Sequence, residues 1–277
     1  MSFDPSREPV KPRDAASVIL LRARAGTGAA EVFMLRRHRK ASFMSSAFVF
    51  PGGAADEGDG DIRVTAAREL FEEAGVLLAD RGISASELRD WRERAAAGAR
   101  LTELLAAAGV SWALESLHYF AHWITPSAES KRFSAQFFLA ELPVGQVPSF
   151  DNRETVDEIW LTPDEALERS GELRLPPPQV RTLAEMREPA ARGLTALRAA
   201  AAERARHPHP IMPRFALTPG ATHGFALLLP WDPEYSTIGS GEGIEMPAGH
   251  PLGTGPSRFI LDGTTWKNVA ATSPRAG

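Results

Sequence analysis

The apolar residues of the chain fall in short runs that predict strands, separated by segments rich in polar residues, glycine and proline. Residues 16–22 and 31–37 predict two strands on either side of a turn-rich segment. Residues 47–50 predict a third strand, which ends at a proline followed by two glycines. Three more strands are predicted later in the chain, at residues 117–124, 132–142 and 156–161.

One segment between these strands has the period of a helix. The apolar side chains of residues 63–74 recur at i, i+3, i+4 and i+7, which places them on one face. They are Ala67, Leu70, Phe71 and Ala74. Gly75 follows at the position where a left-handed helix cap is favoured, so the helix is predicted to end there.

Further helices follow from capping and proline signals. Ser84 and Glu87 have the spacing of a capping box, and Thr162, Pro163 and Glu165 start another helix in the same way. The remaining helices are predicted at residues 100–108, 180–186 and 190–206. A proline run at 176–178 marks a boundary, and residues 258–267 predict a hairpin about an Asp-Gly pair.

Composition narrows the protein class. The 277 residues are 43% hydrophobic and 24% charged, as in globular proteins, and contain no cysteine, so any metal must be bound by oxygen or imidazole. A net charge of −4 argues against nucleic acid as a partner. The apolar runs near the start are too short for a membrane span or a signal peptide, so we expect a cytoplasmic protein with no membrane partner.

Three carboxylates share the polar face of the predicted helix. Glu69, Glu72 and Glu73 are spaced i, i+3 and i+4, so they lie side by side near the helix C-terminus. Both the mutual repulsion and the helix dipole disfavour anions there. Since this placement opposes stability, a bound divalent cation explains it better than a solvated acidic face. All-oxygen donors favour Mg²⁺ or Mn²⁺.

These residues belong to a longer motif. Pro51-Gly52-Gly53 followed by Arg68-Glu69-Leu70-Phe71-Glu72-Glu73-Ala74-Gly75-Val76 resembles the Nudix box of the Nudix pyrophosphohydrolases. The resemblance implies an α/β fold, a Nudix-type α/β/α sandwich with a mixed sheet. It further implies a Nudix domain at residues 15–171 with a helical insertion at about 81–112, and a C-terminal α+β extension at 172–277 that packs on it.

The resemblance also implies residue roles. Glu69, Glu72 and Glu73 would be metal ligands, and Arg68 would orient a glutamate. The loop between Gly53 and Arg68 is one residue longer than the family pattern, so the first box glutamate falls on Asp59 or Gly60, depending on the end from which one counts.

The resemblance leaves three choices open. Asp59, Asp61 or Glu57 could replace the first box glutamate. The acid that family members add from a later loop would be Glu154, with Glu158 as the alternative. The general base would be Glu69, Glu73 or Glu154.

Substrate-binding residues are predicted around the same motif. Arg36, Arg37 and Arg39 form part of a basic run at a strand end, and guanidinium groups match phosphate well. Gly52 and Gly53 allow close approach of a ligand or loop. Residues 35–53 are also partly similar to the motif that precedes the box in coenzyme A diphosphatases. Arg37 fits that motif, whereas His38 and Ser46 stand where Ser and Gly are expected.

The sequence therefore predicts a Mg²⁺- or Mn²⁺-dependent hydrolase acting on a phosphorus anhydride. Its substrate would be a small-molecule nucleoside diphosphate derivative, such as coenzyme A or acyl-coenzyme A. A Nudix-like sensor that binds a nucleotide metabolite without cleaving it is the alternative hypothesis. A homodimer is compatible with the resemblance, because dimers are frequent among relatives.

Overall fold

The computed structural model describes residues 8–39, 44–217 and 224–271. The strands of the first sheet are β1 (Arg13–Ala23), β2 (Ala30–Arg37), β3 (Phe48–Val49), β4 (Gly52–Ala54), β5 (His118–Ile124), β6 (Phe133–Glu141) and β7 (Thr155–Leu161). The helices are α1 (Ile62–Ala74), α2 (Ala85–Ala96), α3 (Leu101–Ala107), α4 (Pro163–Glu168), α5 (Pro177–Ala191) and α6 (Leu194–Arg206). A second sheet is formed by β8 (Arg214–Leu217), β9 (Phe225–Leu228), β10 (Arg258–Asp262) and β11 (Thr265–Val269).

The first sheet is mixed and divides along β1. Its main order is β3-β2-β1-β6-β5, with β7 also paired to β2, and β1 and β6 run parallel. The second half of β1 pairs with β2, whereas Ala15–Ser17 pair with β4 instead. The two glycines that were predicted only to end the third strand thus form a short strand of their own. This strand lies between β1 and the loop that leads to α1.

Helices cover both faces of the sheet, which confirms the α/β/α sandwich. Alternate residues of a strand point to opposite faces. Val18 and Leu20 pack against α1, and Ile19 and Leu21 pack in the cluster that contains residues of α5 and α6. The C-terminal segment therefore contributes to the main core. The division of the chain at 171/172 stays a prediction.

Two boundaries of α5 differ from the sequence prediction. The helix begins at Pro177, inside the proline run. Proline is tolerated there because the N–H groups of the first turn make no hydrogen bond within the helix, so the missing N–H costs nothing. It then continues to Ala191 with Pro189 in its last turns, where a break had been predicted between residues 186 and 190. Buried contacts of Met186 and Ala190 hold this end against the core.

The two helices after α1 and the C-terminal hairpin form where the sequence predicts them. Helices α2 and α3 bury Trp91 and Leu104 in a cluster that includes Phe71 of α1, and the Ser84–Glu87 capping box is complete. In the second sheet, Asp262 pairs with Thr265 across a turn in which Gly263 has φ 60°. Within the described ranges, no helix is long and apolar enough to cross a membrane.

Candidate active site

Helix α1 presents its carboxylates next to the glycine strand β4. Its first turn is capped by Asp61, which accepts a hydrogen bond from Arg63 N at 2.8 Å, and its end is capped by Gly75 at φ 68°. The apolar face of the helix, including Leu70, is fully buried against the sheet. Because that face is fixed, the opposite side chains are held at the edge where β4 meets β1.

Arg68 joins the loop before the helix to the acidic face. Its Nε and Nη2 donate to Asp59 at 3.1 and 2.9 Å, and its Nη1 donates to Glu69 Oε1 at 2.8 Å and to Glu72 Oε2 at 3.2 Å. Among the three acids considered for the first box position, Asp59 is thus the residue that pairs with Arg68. Gly60, with φ 67°, lies in the turn between Asp59 and the helix cap in this longer loop.

Glu73 is the most buried of the carboxylates. It is 5% exposed, and its Oε2 accepts a hydrogen bond from Gly52 N at 2.9 Å. Burial raises the pKa of Glu73 to about 8, and the negative charges of Glu69 and Glu154 act in the same direction, while Arg37 opposes them. The N–H of Gly52 is therefore already used by a carboxylate within the protein.

Glu69 and Glu72 differ in their surroundings. Burial raises the pKa of Glu69 to about 7, and the negative charges of Glu72 and Glu154 act in the same direction. The charge and the hydrogen bond of Arg68 act in the opposite direction. Burial also raises the pKa of Glu72, although its side chain is 41% exposed. The site thus brings three carboxylates together where burial limits their contact with water.

The two glycines permit this close packing. A Cβ at Gly53 would lie 2.5 Å from Glu69 Oε1, and a Cβ at Gly52 would lie 2.2 Å from Ser17 Oγ. Any larger residue would displace the carboxylate or separate β4 from β1. Close approach of protein groups accounts for both glycines, and their contact with substrate stays a prediction.

Glu154 lies at the same site as the helix carboxylates, and Glu158 does not. Glu154 lines the same cleft as Glu69, and its charge raises the pKa of both Glu69 and Glu73. Glu158 instead accepts a hydrogen bond from Phe150 N at 2.7 Å, which ties down the neighbouring loop.

Asp151, which the sequence analysis did not single out, positions Glu154. Its Oδ1 accepts hydrogen bonds from Thr155 N at 2.9 Å and from Glu154 N at 3.2 Å. The Asp-Asn pair at 151–152 is a turn signal that could have identified this role.

The predicted arginines separate into different environments. Arg36 forms an ion pair with Asp157 at 3.3 Å, and the pairing of β2 with β7 shifts register between Arg36 and Arg37. Arg37 lines the cleft, and its buried Nε has no hydrogen-bond partner among the described residues. Arg39 is exposed and directly precedes the undescribed residues 40–43.

A cleft of about 970 Å³ extends from these groups across the sheet. Its charged lining includes Arg37, Arg68, Glu69 and Glu154, and also Glu129 and Arg174. Apolar residues from both the first sheet and the C-terminal segment form much of the remaining wall. The apolar residues of the wall include Phe50, Trp123, Phe133, Phe137, Pro176, Pro177, Pro178, Phe215, Leu227 and Trp266. Local sequence patterns did not indicate that the C-terminal residues belong to the site.

The donor set suits a hard divalent cation. All candidate ligands are carboxylate oxygens, the type that Mg²⁺ and Mn²⁺ prefer. Burial is the main cause of the raised pKa values of Glu69 and Glu73, and a bound cation would favour the ionised form of both carboxylates. No three acidic or histidine side chains of the described chain already converge as a metal site, since Arg68 lies between Glu69 and Glu72.

Comparison with solved structures defines the class of fold. The chain matches the crystal structure of a Nudix hydrolase from Alicyclobacillus acidocaldarius with a TM-score of 0.57 and 26% identity, covering 65% of this chain and 93% of that chain. The architecture is therefore the Nudix fold, and the resemblance read from the box is confirmed.

Sequence comparison also finds similar proteins. Residues 58–186 match the model of the NUDT19 Nudix domain. A Caenorhabditis elegans protein whose name contains the words nudix hydrolase 7 is 33% identical over 183 residues, covering 63% of this chain and 60% of that protein. The acyl-coenzyme A diphosphatase NUDT19 of Xenopus laevis is 27% identical over 228 residues, covering 56% of this chain and 59% of the relative. The chain thus spans about three fifths of the length of these curated relatives.

Proposed function

We propose that this protein is a metal-dependent Nudix diphosphatase that cleaves a nucleoside diphosphate linked to another moiety, with coenzyme A or acyl-coenzyme A as the substrate class. The observation that carries the proposal is that Glu69 and Glu154 line one cleft beside the buried Glu73, and that apolar residues such as Phe215 and Trp266 line the same cleft. The names of the Xenopus laevis and Gallus gallus relatives, both acyl-coenzyme A diphosphatases, agree with it.

In this proposal Glu69, Glu72 and Glu73 hold Mg²⁺ or Mn²⁺. Such a cation, when bound, neutralises phosphate charge and lowers the pKa of a coordinated water. Arg68 keeps Glu69 oriented through its 2.8 Å hydrogen bond while Asp59 anchors the guanidinium from the other side. Glu69, Glu73 or Glu154 accepts the proton of the attacking water.

The remainder of the cleft would bind the rest of the substrate. Arg37 offers a guanidinium beside the carboxylates, which suits the diphosphate. The apolar part, with Phe215 and Trp266 in its wall, suits a hydrophobic moiety such as an acyl chain. We therefore assign catalysis to residues 15–171, with the insertion at about 81–112, and the substrate wall to the extension at 172–277. The cytoplasmic location and the homodimer stay predictions.

Hydrolysis assays test the proposal. Purified protein with Mg²⁺ or Mn²⁺ should cleave coenzyme A or an acyl-coenzyme A faster than NADH, ADP-ribose or nucleoside triphosphates, and a chelator should abolish turnover. Glu73→Gln should lower kcat/KM by on the order of a hundredfold or more. Glu93→Gln, at an exposed position on α2, is the matched control and should be unchanged.

Two outcomes would contradict the proposal. Full activity of Glu73→Gln would remove the metal assignment. Absence of turnover on every compound, together with tight binding of one of them, would favour the sensor hypothesis.

A further inference from the structure

Four residues other than glycine have positive φ among the described residues, and two of them line the cleft. The four are Met44, Ser46, Asn152 and Arg174. Met44 and Arg174 line the cleft, Ser46 lies between two lining residues, and Asn152 is two residues before Glu154. Left-handed backbone costs a residue with a side chain about 1 kcal/mol or more and persists where function or packing requires it. Arg174 is the one charged residue in this set.

The backbone around Arg174 is firmly held. Leu173 and Leu175 on either side are each 1% exposed. Leu173 O accepts a hydrogen bond from Phe48 N at 2.9 Å, and Leu175 N donates to Ser170 O at 3.0 Å. Packing thus fixes φ of Arg174 at 52°. Glycine would adopt this conformation without strain, so packing alone gives no reason for an arginine.

The side chain of Arg174 is available to a ligand. It is exposed and lines the cleft, and within the described ranges its guanidinium has neither an ion pair nor a hydrogen bond. Other arginines of the C-terminal segment, such as Arg181 with Glu185 and Arg258 with Asp232, are paired. An unpaired guanidinium on the wall of a cleft is suited to an anionic group of the bound molecule.

Arg174 and Arg37 lie on opposite sides of β3. Arg37 N donates to Ala47 O at 3.0 Å, and Phe48 N donates to Leu173 O on the other side. Adjacent strands are about 4.8 Å apart, so the two backbones are separated by roughly 10 Å. The positive charge of Arg37 lowers the pKa of Glu73, whereas the backbone of Arg174 lies about two strand spacings from that of Arg37. The two arginines therefore suit two different anionic groups.

We propose that Arg174 binds a phosphate ester of the substrate that is separate from the diphosphate cleaved at the carboxylates. The assignment rests on the proposed diphosphatase function, because that function places the cleaved diphosphate beside Glu69 and Glu73. Arg174 is in this view a specificity residue that distinguishes substrates with the additional phosphate from those without it.

The test compares coenzyme A with dephospho-coenzyme A, which differ by one phosphate ester. Arg174→Gly removes the guanidinium and also relieves the backbone strain, so a folding defect is not expected. It should lower kcat/KM for coenzyme A about tenfold or more, through KM, and leave dephospho-coenzyme A nearly unchanged. Arg174→Lys should retain part of the preference, and Arg89→Ala, at an exposed position on α2, should retain all of it.

A binding measurement separates this proposal from the proposed function. Calorimetry gives the dissociation constants of adenosine 3′,5′-bisphosphate and AMP without any turnover. Arg174→Gly should weaken binding of the bisphosphate and leave binding of AMP unchanged. If the wild type fails to hydrolyse either coenzyme but this difference is found, the diphosphatase function is wrong and the phosphate site stands. The role of Arg174 would be overturned if Arg174→Gly lowered kcat/KM equally for coenzyme A and dephospho-coenzyme A, or weakened binding of the bisphosphate and AMP equally. It would also be overturned if the substitution changed none of these values.

Discussion

Replacing Asp59 with alanine should destabilise the protein, because this buried carboxylate anchors Arg68. The Asp59 side chain is 6% exposed and accepts two hydrogen bonds from Arg68 and one from Thr65 Oγ1 at 2.8 Å. Removing one member of a buried ion pair costs about 3–5 kcal/mol. Arg68 would keep its bond to Glu69, so we expect a loss of about 2–3 kcal/mol. For a chain of this length that corresponds to a fall in Tm of roughly 5–10 °C.

Thermal unfolding at neutral pH measures this loss. Glu57→Ala is the matched control, because Glu57 belongs to the same loop and is exposed. It should change the free energy of unfolding by less than about 0.5 kcal/mol. If Asp59→Ala were as stable as Glu57→Ala, the reasoning would be refuted, and Arg68 would have to be held by the helix carboxylates alone.

The pH dependence gives a second check on the same residue. Burial tends to raise the pKa of Asp59, but the hydrogen bonds from Arg68, Asp56 N and Thr65 outweigh it and lower that pKa from the usual 3.8. A lowered pKa means that the stabilisation is complete above the pKa of the unfolded state and is lost as the pH falls through the folded-state value. The difference in unfolding free energy between wild type and Asp59→Ala should therefore be constant near neutral pH and shrink below about pH 3.8. A difference that grows on acidification would contradict the ion pair.

Three further substitutions probe the backbone and the cleft. Ser46 has φ 61°, so Ser46→Gly should raise the free energy of unfolding by up to about 1 kcal/mol in urea titrations; destabilisation would show that the serine side chain is needed. Gly53→Ala should lower kcat strongly, because its Cβ would lie 2.5 Å from Glu69 Oε1, and an unchanged kcat would mean that the carboxylate moves without consequence. Trp266→Ala should raise KM for a long-chain acyl-coenzyme A several-fold more than KM for free coenzyme A; equal effects would remove Trp266 from the apolar wall.

Local sequence patterns predicted the parts of the site that depend on local structure. The spacing of Leu70 and Phe71 sets the buried face of α1, and this face fixes where Glu69 and Glu73 point. The left-handed cap at Gly75 follows in the same way from the residue type. These features need only helix geometry and capping chemistry, so one sequence is enough to predict them.

The parts that depend on contacts between distant segments were not determined by sequence alone. Counting along the loop placed the first box glutamate on Asp59 or Gly60 and left Asp59, Asp61 and Glu57 as acids that could replace it. Only the pairing with Arg68 distinguishes these three acids. The register shift between Arg36 and Arg37 changes which residues of β2 face the cleft, and no residue type in this segment predicts the shift. Trp266 reaches the cleft because the second sheet packs there, which no local pattern encodes.

The C-terminal segment both covers one face of the first sheet and forms part of the cleft wall, so these two roles cannot be separated. Its helices α5 and α6 cover the same sheet face as Ile19 and Leu21, while Phe215 and Trp266 form the wall of the cleft. A truncation at residue 171 would therefore expose the core as well as open the cleft. Under the proposed function, the substrate range could therefore not be changed by exchanging the C-terminal segment as a unit. It would have to diverge through single replacements in the wall, made one at a time on a scaffold that must remain folded throughout.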